Sequence, residues 1–265
     1  MANFDMNNFV IDRIIRGVAL SQKDDSVLFS INQIQNASLN CASESTDAVD
    51  ALGTPIATFY RAKTAEFSAE NALYDMNLMA TQLGTKKTVA SADAKVTVPA
   101  METFTVAEGG KYVLKHAPKA APTEIYAING DSTFGVKYVK ETSASATAFA
   151  YVEADHSINL PTDVAVGSDM FVMYEYETDQ AVEVVNSATN FPVGCKFIME
   201  VLGCDVCDQT NLVYAYVIFN NFKLSPDFDW SIATDGAHPF SGRAQQDYCD
   251  KEKRLFSIVI PGDQE

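Results

Sequence analysis

The clearest pattern of apolar and polar positions lies between Leu52 and Gly84. Gly53 and Pro55 punctuate a turn, and the residues after it alternate as a strand does. Side chains in a strand repeat with period two. Ala57, Phe59, Arg61, Lys63, Ala65 and Phe67 then share one face, and Thr58, Tyr60, Ala62, Thr64, Glu66, Ser68 and Glu70 the other. Neither face is cleanly apolar, which is unusual for a strand packed on a core on one side only. Past this run, Ala72, Met76, Met79, Ala80 and Leu83 recur at helical spacing, a stripe that an amphipathic helix buries. Asn71 or Ser68 is placed to cap the helix, and Gly84 stands where a left-handed residue ends one. The pattern predicts a long two-sided strand or hairpin, then a short helix, building a wall shared between copies.

Elsewhere the chain reads as strands. Residues 1–20 are apolar at Val10, Ile11, Ile14, Ile15, Val18 and Leu20, but no period is sustained. They read as an arm that docks on something, such as a neighbouring copy. Residues 26–34 and 37–41 read as strands, and the acidic run 42–51 as a surface loop. The polar stretch 85–95 is a plausible boundary. From Val96 to about Val185, short strands at 96–98, 102–106, 111–115, 124–128, 134–139, 146–152 and 170–177 are separated by glycine, proline and Asn129-Gly130 turn signals. Seven short strands at this spacing predict a β-sandwich of immunoglobulin size. Longer strands return at 194–202, 212–222, 228–234, 240–248 and 254–260. The middle unit, 96–185, is thus read as inserted between two halves of one β-rich domain, 1–95 and 186–265.

Composition narrows the functional classes. The 265 residues carry a net charge of −16, from 35 acids and 19 bases, with no Lys/Arg cluster. Tight nucleic-acid binding needs a basic face and is disfavoured. No apolar run approaches the roughly 18 residues of a membrane helix, and the start has no apolar signal core. The expectation is a protein folded in and used from the cytosol. Five cysteines, Cys41, Cys195, Cys204, Cys207 and Cys249, are an odd set that argues against a disulfide framework.

Few residues suggest chemistry. Cys204 and Cys207 form a CxxC that could bind zinc with Cys195 or Cys249, but a second pair at matching spacing is missing. His238, near Asp235 and Asp247, could be half of an acid/base pair, more commonly a loop histidine. Glu175, Glu177 and Asp179 lie on one strand face, either as a calcium site or as solvated surface. No nucleophile elbow, phosphate loop or zinc-protease motif occurs. No catalytic residue, metal or cofactor is expected.

Two stretches, GTPIATFYRAKTAEFSAENALYDMNLMATQLG (53–84) and 191–262, carry a resemblance to phage major tail proteins, the tail-tube family. The resemblance implies a mainly β fold: a β-sandwich or barrel-forming tube domain with one short helix, here with an inserted immunoglobulin-like β-sandwich. It also implies hexameric rings whose hairpins join into one barrel, stacked into a tube through which DNA passes without specific binding. The partners implied are further copies and other tail proteins such as terminator, baseplate and sheath, the protein being assembled in the host cytoplasm and ending in the virion tail. The mid-chain position of the extra unit departs from the family pattern. Under this reading Thr58, Tyr60, Thr64, Glu66, Ser68 and Glu70 face an acidic-to-neutral lumen, with Phe59 and Phe67 behind the wall. The alternatives are another virion component, a decoration or baseplate protein, and a carbohydrate-binding or adhesin module on 96–185; a hydrolase comes last.

Overall fold

The computed structural model describes residues 6, 8–248 and 251–262. The strands in chain order are β1 (Phe9–Ser21), β2 (Val27–Ile31), β3 (Ile34–Val49), β4 (Pro55–Asn71), β5 (Thr88–Val89), β6 (Val96–Thr105), β7 (Lys111–Val113), β8 (Glu124–Ile128), β9 (Phe134–Glu141), β10 (Ala148–Val152), β11 (Ser157–Asn159), β12 (Asp169–Thr178), β13 (Val182–Glu183), β14 (Gly194–Asp205), β15 (Asp208–Leu224), β16 (His238–Ala244) and β17 (Ser257–Val259). Among the described residues there is one α-helix, α1 (Met76–Gln82). The fold is mainly β, as the sequence predicts. Its contacts divide it into two compact units, one running to Lys87 and resuming at Val184, the other Thr88–Glu183.

The first unit is one sheet of order β2-β1-β14-β15-β16-β4-β3, with β17 added to β15 beside β16. The sheet curls around phenylalanines. Phe67 on β4 lies 5.7 Å from Phe197 on β14, three places away in the sheet, and 5.9 Å from both Phe219 and Phe240. Only curling brings those rings together. Ala19, Phe29, Leu78, Phe222 and Leu224 complete this core.

Four local expectations are overturned in this unit. Residues 1–20 are not a free arm: from Phe9 onward they form β1, hydrogen-bonded to β14 on one side and β2 on the other, while residues 1–5 and 7 lie outside the described set. Two bulges, where Asp12 and Ile15 have no partner on β14, break the alternation and explain why no period holds. The acidic run 42–51 is strand as far as Val49, because it pairs along β4 rather than against a core. Residues 228–234 are loop, not strand; Phe228 and Trp230 pack on His238 and Tyr74. The helix is capped by Asp75, whose carboxylate accepts from the N–H groups of Asn77 and Leu78, and not by Asn71 or Ser68. Asn71 instead accepts from Gln33 N–H and donates to Leu73 O, tying the end of β4 to the β2–β3 corner. Gly84 ends the helix at φ 67 as expected, and Thr85 N–H bonds back to Ala80 O.

The second unit is built on one seven-stranded sheet, of order β6-β12-β8-β9-β10-β11-β7, with β9 and β10 parallel. Its seven strands do not split into two hydrogen-bonded sheets. The ribbon folds over, so that its two end strands meet: Phe104 of β6 stacks on Tyr112 of β7 at 3.7 Å and 5°. Glu102 of β6 closes that seam, accepting from Tyr112 OH (2.7 Å), Lys115 N–H (3.1 Å) and Tyr174 OH. Strands β5 and β13 pair with each other where the chain enters and leaves the unit.

Candidate assembly surface

Strand lengths shape the surface of the first unit. β4 runs for 17 residues, but β16 pairs only with its last seven, Ala65–Asn71. Beyond Ala65, β3 and β4 continue alone as a two-stranded arm to a turn at residues 50–54. Asp50 organises that turn, accepting from Leu52 and Thr54 N–H, with Gly53 at φ 84. Both faces of the arm are exposed, including Val49, Ile56, Phe59 and Tyr60, and Leu52 at the tip is 91% exposed. A two-stranded hairpin is at best marginally stable alone in water, and this one leaves apolar side chains open on both faces.

A bulge divides the arm from its root. Ala42 pairs with Thr64 and Glu44 with Arg61, so β4 carries one residue more than β3 across this step. Ala62 sits there with φ 49, a left-handed conformation in a non-glycine residue. An extra residue exchanges the faces beyond it. Toward the root, Ala65, Phe67 and Ala69 point into the core while Thr64, Glu66, Ser68 and Glu70 point out. Past the bulge, Arg61 and Phe59 join the outward set. Tyr60 and Thr58 join the face of Phe67, and Thr58 Oγ1 donates to Asp47 on β3 at 2.7 Å.

The expected grouping of Thr58 and Tyr60 with Thr64, Glu66, Ser68 and Glu70 therefore fails, and so does that of Phe59 with Phe67. Phe67 is 1% exposed and Phe59 55%. The outward carboxylates are engaged: Arg243 of β16 pairs with Glu66 at 2.7 Å, and Asn36 Nδ2 donates to Glu70 at 2.9 Å.

The sequence matches the YomU/Tube protein family over residues 9–256. The chain belongs to that family. It is a phage tube-like structural protein, and the YomU/Tube match spans both halves of the first unit and the whole of the second. A search of curated proteins found no match.

The groups that could have carried chemistry are set apart from one another in this YomU/Tube chain, and His238 among them has a structural role. Cys204 is buried inside β14, whereas Cys207 is exposed in the two-residue turn Val206–Cys207, its N–H bonded to Asp205. Cys195 is nine residues back along the same strand, roughly 30 Å at 3.3 Å per residue, too far to share a metal with Cys204. Burial alone pushes the Cys195 thiol up to about 12. Cys249 lies outside the described residues. His238 is fully buried; its Nδ1 accepts from Asp75 N–H and its Nε2 hydrogen bonds with Gln82 Oε1 at 2.8 Å. Both ring nitrogens are thus used to pin α1 onto β16, and desolvation holds the imidazole below its ordinary 6.5. Glu177 pairs with Lys119 at 2.9 Å. Among the described residues, no group of three or more His, Cys, Asp or Glu is placed to hold a metal ion, and no helix is long and apolar enough to cross a membrane.

Proposed function

We propose that the protein is a phage major tail protein, whose copies associate through the β3–β4 arm into hexameric rings that stack around a channel for DNA. The observation that carries this reading is the arm itself. It exposes about twenty residues on two faces, has apolar side chains on both, and closes in a well-formed turn. Neighbouring copies supply the cover, and joining the arms removes the open strand edges that would otherwise aggregate. Terminator, baseplate and sheath proteins are the expected partners at the ends and outside of the tube, and the virion tail is the expected location. Negative-stain microscopy and sedimentation test the proposal. Full-length protein should give rings or tubes, and a variant lacking residues 46–58 should stay a folded monomer. Rings from the shortened variant would remove the arm from the account.

One observation favours a second role for the Thr88–Glu183 unit. Its outer face carries a cluster of Tyr126, Phe134 and Phe171, with ring centroids 5.4 and 4.9 Å apart, beside the exposed Met101 and Met173. Such a platform suits the carbohydrate-binding reading. Glycan-array binding that is lost in Phe134→Ala would support it, and no binding would remove it.

A further inference from the structure

The outward face of the first unit varies along the sheet. Across β1, β14 and β15 it is mixed, with Val18, Ile198, Tyr214, Tyr216 and Ile218 around the Arg16–Glu200 ion pair. Across β15, β16, β4 and β3 it is polar. There Lys223, Arg243, Glu66 and Asn40 stand opposite one another in a single cross-strand row, with Ser241 opposite Ser68 in the next position. This polar half forms a groove of about 650 Å³, to which Ser225 and Gln245 also contribute. Arg243 neutralises Glu66, and Lys223 has no ion-pair partner among the described residues. Asp227 also lines the groove, so its two cations and two carboxylates balance in a chain whose net charge is −16.

We infer that this row, Lys223–Arg243–Glu66–Asn40 with Ser68 and Ser241, lines the channel and is the surface turned toward the passing duplex. The inference rests on the ring reading and names the face within it. A duplex carries one negative charge per about 1.7 Å, so an acidic wall repels it and a strongly basic wall holds it through counterion release. A wall of balanced charges and small hydroxyls does neither. The set differs from the one read by strict alternation. Thr64, Glu66, Ser68 and Glu70 remain, Arg61 and Phe59 continue the face along the arm, and Thr58 and Tyr60 leave it because of the Ala62 bulge.

The test is cysteine labelling of assembled tubes. Ser68→Cys is placed in a background with Cys41, Cys207 and Cys249 replaced by serine; Cys195 and Cys204 are buried. Before assembly, a small maleimide and a bulky polyethylene-glycol maleimide should both react. In tubes, the small reagent should keep reacting while the bulky one is slowed at least tenfold. Asn40→Cys repeats the measurement if Ser68→Cys fails to assemble. Equal labelling by both reagents in tubes would place the row on the tube exterior, and protection from both would bury it between subunits. Either result overturns the inference and leaves the ring reading standing. Failure of the unsubstituted protein to form rings or tubes would overturn both.

Discussion

Phe59 and Phe67 lie on one strand, eight residues apart, and simple alternation puts them in the same environment. The bulge at Ala62 puts them in opposite ones, and truncating each to alanine separates the two accounts. Phe67 is surrounded by Phe197, Phe219, Phe222 and Phe240 at centroid distances of 5.7 to 6.3 Å. Its removal leaves a cavity that these rings cannot close, at a cost of about 3 to 5 kcal/mol. For a domain of this size each kcal/mol lowers the melting temperature by about 2 to 4 °C, so Phe67→Ala should lower it by roughly 6 to 20 °C. Phe59 is 55% exposed, so Phe59→Ala should change the unassembled protein by no more than about 0.5 kcal/mol. Its effect should appear on association. Burying a whole phenylalanine is worth about 1.5 to 3 kcal/mol, and covering the exposed half contributes about 0.8 to 1.5. That is roughly a four- to twelvefold loss in association constant per contact. Thermal melting at low concentration and sedimentation velocity at high concentration read the two effects separately. Equal destabilisation of the monomer by both variants would refute the divided strand.

Three other perturbations follow from the same structure. Deleting Ala62 removes the bulge and exchanges the faces of the arm; the first unit should melt near its normal temperature while rings are lost, and intact rings would show the bulge to be incidental. His238 is held neutral, with its pKa depressed by burial, so the unfolded chain binds its proton more readily. The stability it contributes is present above the ordinary 6.5 and is lost as pH falls through the depressed value, and His238→Gln should flatten this part of the pH–stability curve; an unchanged curve would exclude His238 as its source. Burial first, and the Glu102 carboxylate second, push Tyr112 up to about 12, so Glu102→Ala should lower the Tyr112 titration in part. It should also speed hydrogen exchange along β6 and β7, since each buried donor left without an acceptor costs about 1 to 3 kcal/mol; unchanged exchange would show that the seam does not depend on Glu102.

What the sequence reveals depends on whether its pattern is referred to a core within one copy. Met79 and Ala80 of the helix stripe, Gly84, and the strands at 124–128 and 194–202 pack on the chain's own interior, whereas Ala72 and Met76 of that stripe are exposed and Leu78 and Gln82 are buried in their place. β3 is different: its polar 42–51 run has no core to face, so it carries no alternation and reads as loop. β1 and β4 keep their alternation only between bulges, and Asp12, Ile15 and Ala62 are not the glycines that usually betray one. Phe228 and Trp230 mimic a strand because they cover His238 and Tyr74, respectively, from a loop. The outward-facing Thr64, Glu66, Ser68 and Glu70 were legible as a set, whereas Lys223 and Arg243, which complete the row, come from the other end of the chain and are joined to it only by the β15–β16–β4 register.

The central claim is that copies assemble through the arm. Cryo-electron microscopy of the assembled protein tests it most directly, by showing where residues 46–58 lie. The account predicts rings in which each arm is covered on both faces by neighbouring copies and the strands of adjacent arms run on as one barrel around an open channel. Particles in which the arms project freely into solvent, or rings joined wholly through the Thr88–Glu183 unit, would contradict it.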